Sequence, residues 1–172
     1  PLPVERVTNG NLRVTYINHA TVLVQIDGFN VVTDPFWSVS AGPFFWLGAK
    51  RVRSPGVRIE DLPEIDVILI SHDHYDHFDV PSLKKLIKRD QPLIVTGLGM
   101  KKRFKNTNGA NVVALDWWQQ FSMNQDGLEI VCVPSKHNSG RFFFDKNKTL
   151  WVGFILKSSH GNVLFMGDTA YG

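Results

Sequence analysis

Cysteine is almost absent from this sequence: Cys132 stands alone among 172 residues. A disulfide framework is therefore excluded, since the one thiol has no partner within the chain. Long apolar runs are missing too. The best, Val67 to Ile70 and Leu128 to Val133, fall far short of the ~18 residues that a membrane-crossing helix needs. The excess of one charge over the other is small, a net +3, and aromatic residues reach 12%, a combination that argues against disorder. No repeat, low-complexity tract or interdomain linker interrupts the chain. What is present, 43% apolar residues, suffices for the core of one globular domain. A pI near 9.1 hints at an anionic partner without identifying one. The sequence opens at Pro1 rather than Met and stops at Tyr171-Gly172, just after a strand-like segment, so a piece of a longer chain is expected. The lack of a leader segment then says nothing of the whole product.

Local pattern is β-rich at first. Leu12, Val14 and Tyr16 alternate on one face of a strand, as do Val22, Val24 and Ile26 on the next. Asp27-Gly28 is a two-residue hairpin signal leading into Phe29 to Thr33, which Asp34-Pro35 ends. Prolines and glycines then break regular pattern from Pro35 to Pro63, predicting a long loop of the kind that is usually functional. Asp66 to Ile70 reads as a strand buried on both faces. Asp79, Pro81 and the spacing of Leu83, Leu86 and Ile87 predict a helix ending near Asp90. A strand at Leu93 to Thr96, a short basic helix from Gly99 to Lys105 and strands at 112–115, 128–133, 150–156 and 163–166 follow. The order predicts a mixed α/β class.

Three of the six histidines fall in His72-x-His74-x-Asp76-His77, directly after the buried strand. Chance would place that pattern in about one such chain in two thousand. In extended backbone, residues two apart point the same way, so His72 and His74 can bind one metal. Asp76 and His77 follow once the chain turns and can face a second. Imidazole and carboxylate donors suit zinc, and also manganese or iron. The alternative is a polar surface loop. His137, in Pro134-Ser135-Lys136-His137, and Asp168, in Gly167-Asp168-Thr169, also sit just past strand ends, where they can converge on the same point.

These residues resemble the mark of the metallo-β-lactamase superfamily. Asn18-His19-Ala20-Thr21, Thr33-Asp34-Pro35, Lys50-Arg51-Val52-Arg53, Leu62-Pro63-x-Ile65-Asp66, Leu115-Asp116-Trp117-Trp118 and Gly167-Asp168-Thr169 are similar to its N-acyl-phosphatidylethanolamine-hydrolysing phospholipase D branch. The resemblance runs from about residue 12 to the end. It implies an α/β fold of the αββα four-layer sandwich type, as a single domain over residues 1–172 truncated at its C-terminus. It also implies that His72, His74 and His137 hold a first metal, that Asp76 and His77 hold a second, and that Asp168 bridges them. Asp34 would orient ligands rather than bind. His19 is expected to be a buried, hydrogen-bonded residue near the site and not a ligand. The sequence departs from the family in having Asn18 where a glycine is usual and Asp73, an added negative charge beside the metals, where an asparagine is usual. The family also supplies a last histidine ligand from beyond the Gly-Asp-Thr segment.

Two divalent ions, zinc before manganese or iron, would activate a shared hydroxide for hydrolysis, with Asp76 also holding its proton. The resemblance favours a phosphodiester. Alternatives are a lactonase or other ester hydrolase, a nucleic-acid-processing nuclease, a redox relative using iron, and an inactive fragment. Phe36, Trp37, Phe44, Phe45 and Trp46, followed by Lys50, Arg51, Arg53 and Arg58, suit a substrate or anionic lipid surface, or else pack beneath the loop. Partners are thus expected to be a small-molecule or phospholipid substrate with peripheral membrane contact. Nucleic acid is disfavoured, since the lysines of the predicted helix form its solvated face. A soluble or membrane-peripheral location is expected, with the cytoplasm favoured. Trp117, Trp118 and Phe121 line a substrate pocket or pack on a strand, and Cys132 is expected to be buried.

Overall fold

The structure is a computed structural model that describes residues 2–44, 47–123 and 127–171. Strands β1 (Leu12–Asn18), β2 (Thr21–Ile26) and β3 (Phe29–Thr33) form an antiparallel meander. Asp27 and Gly28, both at positive φ, make the tight turn between β2 and β3. From β3 the pairing becomes parallel, through β6 (Val67–Ile70), β7 (Leu93–Gly97) and β8 (Asn111–Leu115). The helix α1 (Val80–Asp90) makes one crossover, as a parallel connection requires. The resulting six-stranded sheet has the order β1-β2-β3-β6-β7-β8. A second, antiparallel sheet is ordered β12-β11-β10-β9, from β9 (Gln120–Ser122), β10 (Glu129–Pro134), β11 (Val152–Ser158) and β12 (Gly161–Phe165).

Strand β6 shows why two layers pack on the first sheet. All four of its residues are buried, and they alternate. Ile68 and Ile70 enter a core shared with Leu83, Leu86 and Ile87 of α1; Val67 and Leu69 enter a core shared with Ile130, Cys132, Phe154 and Leu156 of the second sheet. Period-two side chains on a strand covered on both faces produce this division. The helix thus lies outside the first sheet and the second sheet inside it. Among the described residues no helix covers the outer face of the second sheet, and none is long and apolar enough to cross a membrane.

Several expectations need correction. The stretch from Pro35 to Pro63 contains the hairpin β4 (Ser40–Phe44) and β5 (Leu47–Lys50) and a 3-10 turn at Ile59–Asp61. The hairpin pairs only with itself and β5 faces solvent throughout, so no alternation of apolar residues marks it. The short basic helix expected after β7 is present, as a 3-10 helix over Met100–Asn106. The Leu12, Val14 and Tyr16 face of the edge strand β1 is the exposed one, while Ile17 reaches the core. Strand β9, three residues long, carries too little pattern to be read.

Candidate metal centre

Each residue of the histidine cluster is positioned by a strand end. The chain leaves β6 at Ser71, whose carbonyl accepts a hydrogen bond from Val152 N of β11, so the two sheets are joined there. His72 to His77 then turn, and both His77 N and Phe78 N donate to the His74 carbonyl. His137 follows β10. Asp168 follows β12, in a segment tied to the His137 loop by Lys136 N on Thr169 Oγ1 (3.0 Å) and Ala170 N on the Lys136 carbonyl (2.8 Å). Gly167, at φ +59°, makes this approach possible, since a Cβ there would lie 2.4 Å from Ser71 Cβ.

Three donor groups result among the described residues, two of which share no member while the third, Asp34 with His72 and His77, overlaps both. His72, His74 and His137 form the first, with His72 Nε2 2.8 Å and His137 Nε2 3.2 Å from His74 Nδ1. One ring proton can be shared between two of these nitrogens but not among three, whereas a divalent cation takes a lone pair from each. The donor set fits a metal. His19, Asp76 and His77 form the second group, with His19 Nε2 3.0 Å from Asp76 Oδ2 and 3.3 Å from His77 Nε2. Asp168 lies between them, Oδ1 3.4 Å from His77 Nε2 and Oδ2 3.6 Å from His137 Nε2.

The buried Asp34 organises both groups. Its Oδ1 accepts from Ser71 N (2.7 Å); its Oδ2 accepts from Ser71 Oγ (2.6 Å) and from His77 Nδ1 (2.6 Å). Having donated to Asp34, the Ser71 hydroxyl accepts from His72 Nδ1 (2.8 Å). One carboxylate therefore fixes the tautomers of a histidine in each group and turns both Nε2 atoms inward. Asp34 holds this position at φ +32°, a strained conformation for a non-glycine residue.

Electrostatics separate the two histidines. Burial, reinforced by the neighbouring imidazoles, lowers His72 to about 2, so its ring is neutral. Burial also opposes charge on His77, but Asp34, with help from Asp76 and Asp168, outweighs it and holds that imidazole at about 9. Burial lowers His137 as well.

His19 is the main departure from expectation. It is exposed rather than buried, and its Nε2 faces the second group. Its spacing from the cluster, more than fifty residues, concealed this; the β1–β2 turn, with His19 at φ +43°, delivers it. Asn18 donates to the Phe36 carbonyl (2.9 Å), a bond no glycine can make. Asp73 adds no free charge. It is fully buried, paired with Arg103 at 2.6 Å, and accepts from Gly140 N (2.7 Å). Arg141, over the Tyr75 ring at 3.8 Å, also donates to the Asp73 and Phe78 carbonyls. Neither arginine belongs to a recognisable motif, and sequence reading missed both.

The aromatic residues divide. Phe36 is buried, and Trp37 packs against the core with Nε1 on the Val57 carbonyl (2.9 Å), so these two rings follow the alternative of packing beneath the loop. Phe44 is exposed; Phe45 and Trp46 lie outside the described residues. Trp117 and His137 line a cavity of about 480 Å³, while Trp118 is exposed and Phe121 packs on the inner core. Cys132 is fully buried, and burial pushes its thiol up to about 12.

Comparison with known proteins places this geometry. The family model described as a beta-lactamase superfamily domain matches residues 29–172. The chain is 35% identical over 184 residues to the N-acyl-phosphatidylethanolamine-hydrolyzing phospholipase D 1 of Caenorhabditis elegans, covering 99% of this chain and 52% of that protein. The chain spans about half the length of the curated relatives it matches. A metallo hydrolase from the archaeon Ignicoccus hospitalis superposes with a TM-score of 0.69 at 19% identity, covering 92% of this chain and 61% of that one. A diiron β-hydroxylase from Streptomyces venezuelae superposes with a TM-score of 0.62 at 24% identity, covering 94% of this chain and 30% of that one. These two likenesses establish the fold.

Proposed function

This chain belongs to the metallo-β-lactamase superfamily, and from that premise we propose that it is a metal-dependent hydrolase of phosphodiesters, with zinc as its metal. The observation that carries the reading is the pair of donor groups linked by Asp168 and oriented by one carboxylate, Asp34. The phosphodiester follows the activity in the name of the C. elegans relative.

His72, His74 and His137 would hold one ion; His77 and Asp76, with His19 facing them, would hold the other; Asp168 would reach both. A bound metal pair brings the pKa of water toward neutrality and offsets charge developing on a phosphoryl oxygen. The protein's own part is orientation and proton handling. Asp34 keeps the Nδ1–H of His77 engaged, so that Nε2 remains the donor. Asp76 keeps a partly exposed carboxylate at the same point, 3.0 Å from His19 Nε2, where it would be placed to accept a proton from water. No serine or cysteine nucleophile is needed, and Cys132, buried with a raised pKa, is unsuited to be one.

The test is hydrolysis of bis(p-nitrophenyl) phosphate by zinc-loaded protein, against the His72→Ala/His74→Ala variant. Turnover lost at least about a hundredfold in the variant supports the reading. Equal turnover in both proteins overturns it.

A further inference from the structure

Two cavities flank the donor groups, and their walls differ. The one beside His137 carries two tryptophans, Trp117 and Trp151. A single lysine, Lys136, lines it and donates to the Tyr171 carbonyl (3.1 Å). The other, about 400 Å³, ends at His19 and Asp76 of the second donor group. Lys50, Arg51 and Arg53 line it, and Tyr16 and Phe36 give it an apolar surface. Three cations on one wall of a cleft make a field that selects anions.

None of the three is neutralised by a hydrogen-bonded carboxylate. Lys50 and Arg53 are exposed and form no ion pair among the described residues. Arg51 lies over the Phe36 ring at 5.2 Å, and its Nη2 donates to the Ser38 carbonyl. Its Nε and Nη1 are buried without a partner. The carboxylate acting on it, Asp79, already accepts from Ser38 N, Ser38 Oγ and Ser82 Oγ. Buried guanidinium donors without a partner are costly, and the Phe36 face offsets only part of that cost, so an anion nearby would be favoured.

We propose that this cavity seats a second anionic group of the substrate. That group is a carboxylate or phosphate beyond the scissile ester, held by Lys50 and Arg53 with Arg51 behind them. The apolar stretch between the two groups would rest on Tyr16 and Phe36. The substrate class is thereby narrowed to esters that carry a further negative charge on the His19 side of the reacting group. The inference rests on the donor cluster being the reaction centre.

Calorimetric titration of the zinc-loaded protein with two inert phosphonates tests it. Phenylphosphonate offers one anionic group, and para-carboxyphenylphosphonate offers two. The second should bind about tenfold more tightly, as one charge-assisted contact provides. In the Lys50→Glu/Arg53→Glu variant the advantage should vanish or reverse; both positions are exposed, and circular dichroism checks that the fold is kept. Equal binding of the two phosphonates to the unaltered chain, no binding of either, or an advantage that survives charge reversal, would overturn the proposal. Because binding needs no turnover, a failure to hydrolyse phosphodiesters would sink the catalytic reading while leaving this result legible.

Discussion

Asp34 concentrates more of the site's organisation than any of the donors it serves. Through Ser71 it fixes His72, and directly it fixes His77. Asp34→Ala should therefore cost metal affinity at both groups, about ten- to a hundredfold, through the loss of the bonds that orient His72 and His77. Competition titration with a chromophoric chelator checks this, and unchanged affinity at both groups would refute it. His77 supplies a pH dependence whose sign is fixed. Its imidazole stays protonated up to about 9 in the metal-free chain, above the ordinary 6.5, so a metal must displace a proton from Nε2. Affinity at the second group should thus rise about tenfold per pH unit from neutrality and level off near 9. His72, held neutral, adds no slope there. Arg103 gives a third expectation. Arg103→Ala would leave the buried Asp73 unpaired and should lower stability by about 3 kcal/mol in denaturant titration.

At the scale of elements, the site is a set of strand ends held at one height. Gly167 sets that height, because its backbone passes against Ser71 with no room for a methyl group. Gly167→Ala should push the β12 end away from β6, destabilise the fold by about 1–3 kcal/mol and, if Asp168 reaches a bound ion, weaken its retention. Metal analysis after dialysis reads the second effect; full retention would show that the approach tolerates a side chain. Much of this level is legible in the sequence. The strand preceding His72 announces itself because β6 is apolar throughout, and α1 because Pro81 and the Leu83, Leu86 and Ile87 stripe have a helical period. The β4–β5 hairpin is illegible for the opposite reason: it buries little, so burial leaves no periodic trace. His19 could be found as a conspicuous residue in a turn. Its arrival beside Asp76 depends on the β1–β2 turn lying across the sheet end from β6, which spacing does not encode.

On the scale of the whole molecule, the two sheets bring together residues as distant as His19 and Asp168 because their strand ends meet at Ser71. The outer core beneath α1 and the inner core between the sheets hold this geometry, while one cavity reaches the donors at His19 and Asp76 and another reaches them at His137. If this junction holds two metal ions, elemental analysis of purified protein after dialysis will count them. About two divalent ions per chain are expected in the unaltered protein, with zinc predominant, and no more than about one in His72→Ala/His74→Ala. Absence of stoichiometric metal from the unaltered chain, or equal metal in the two proteins, would contradict a two-metal junction.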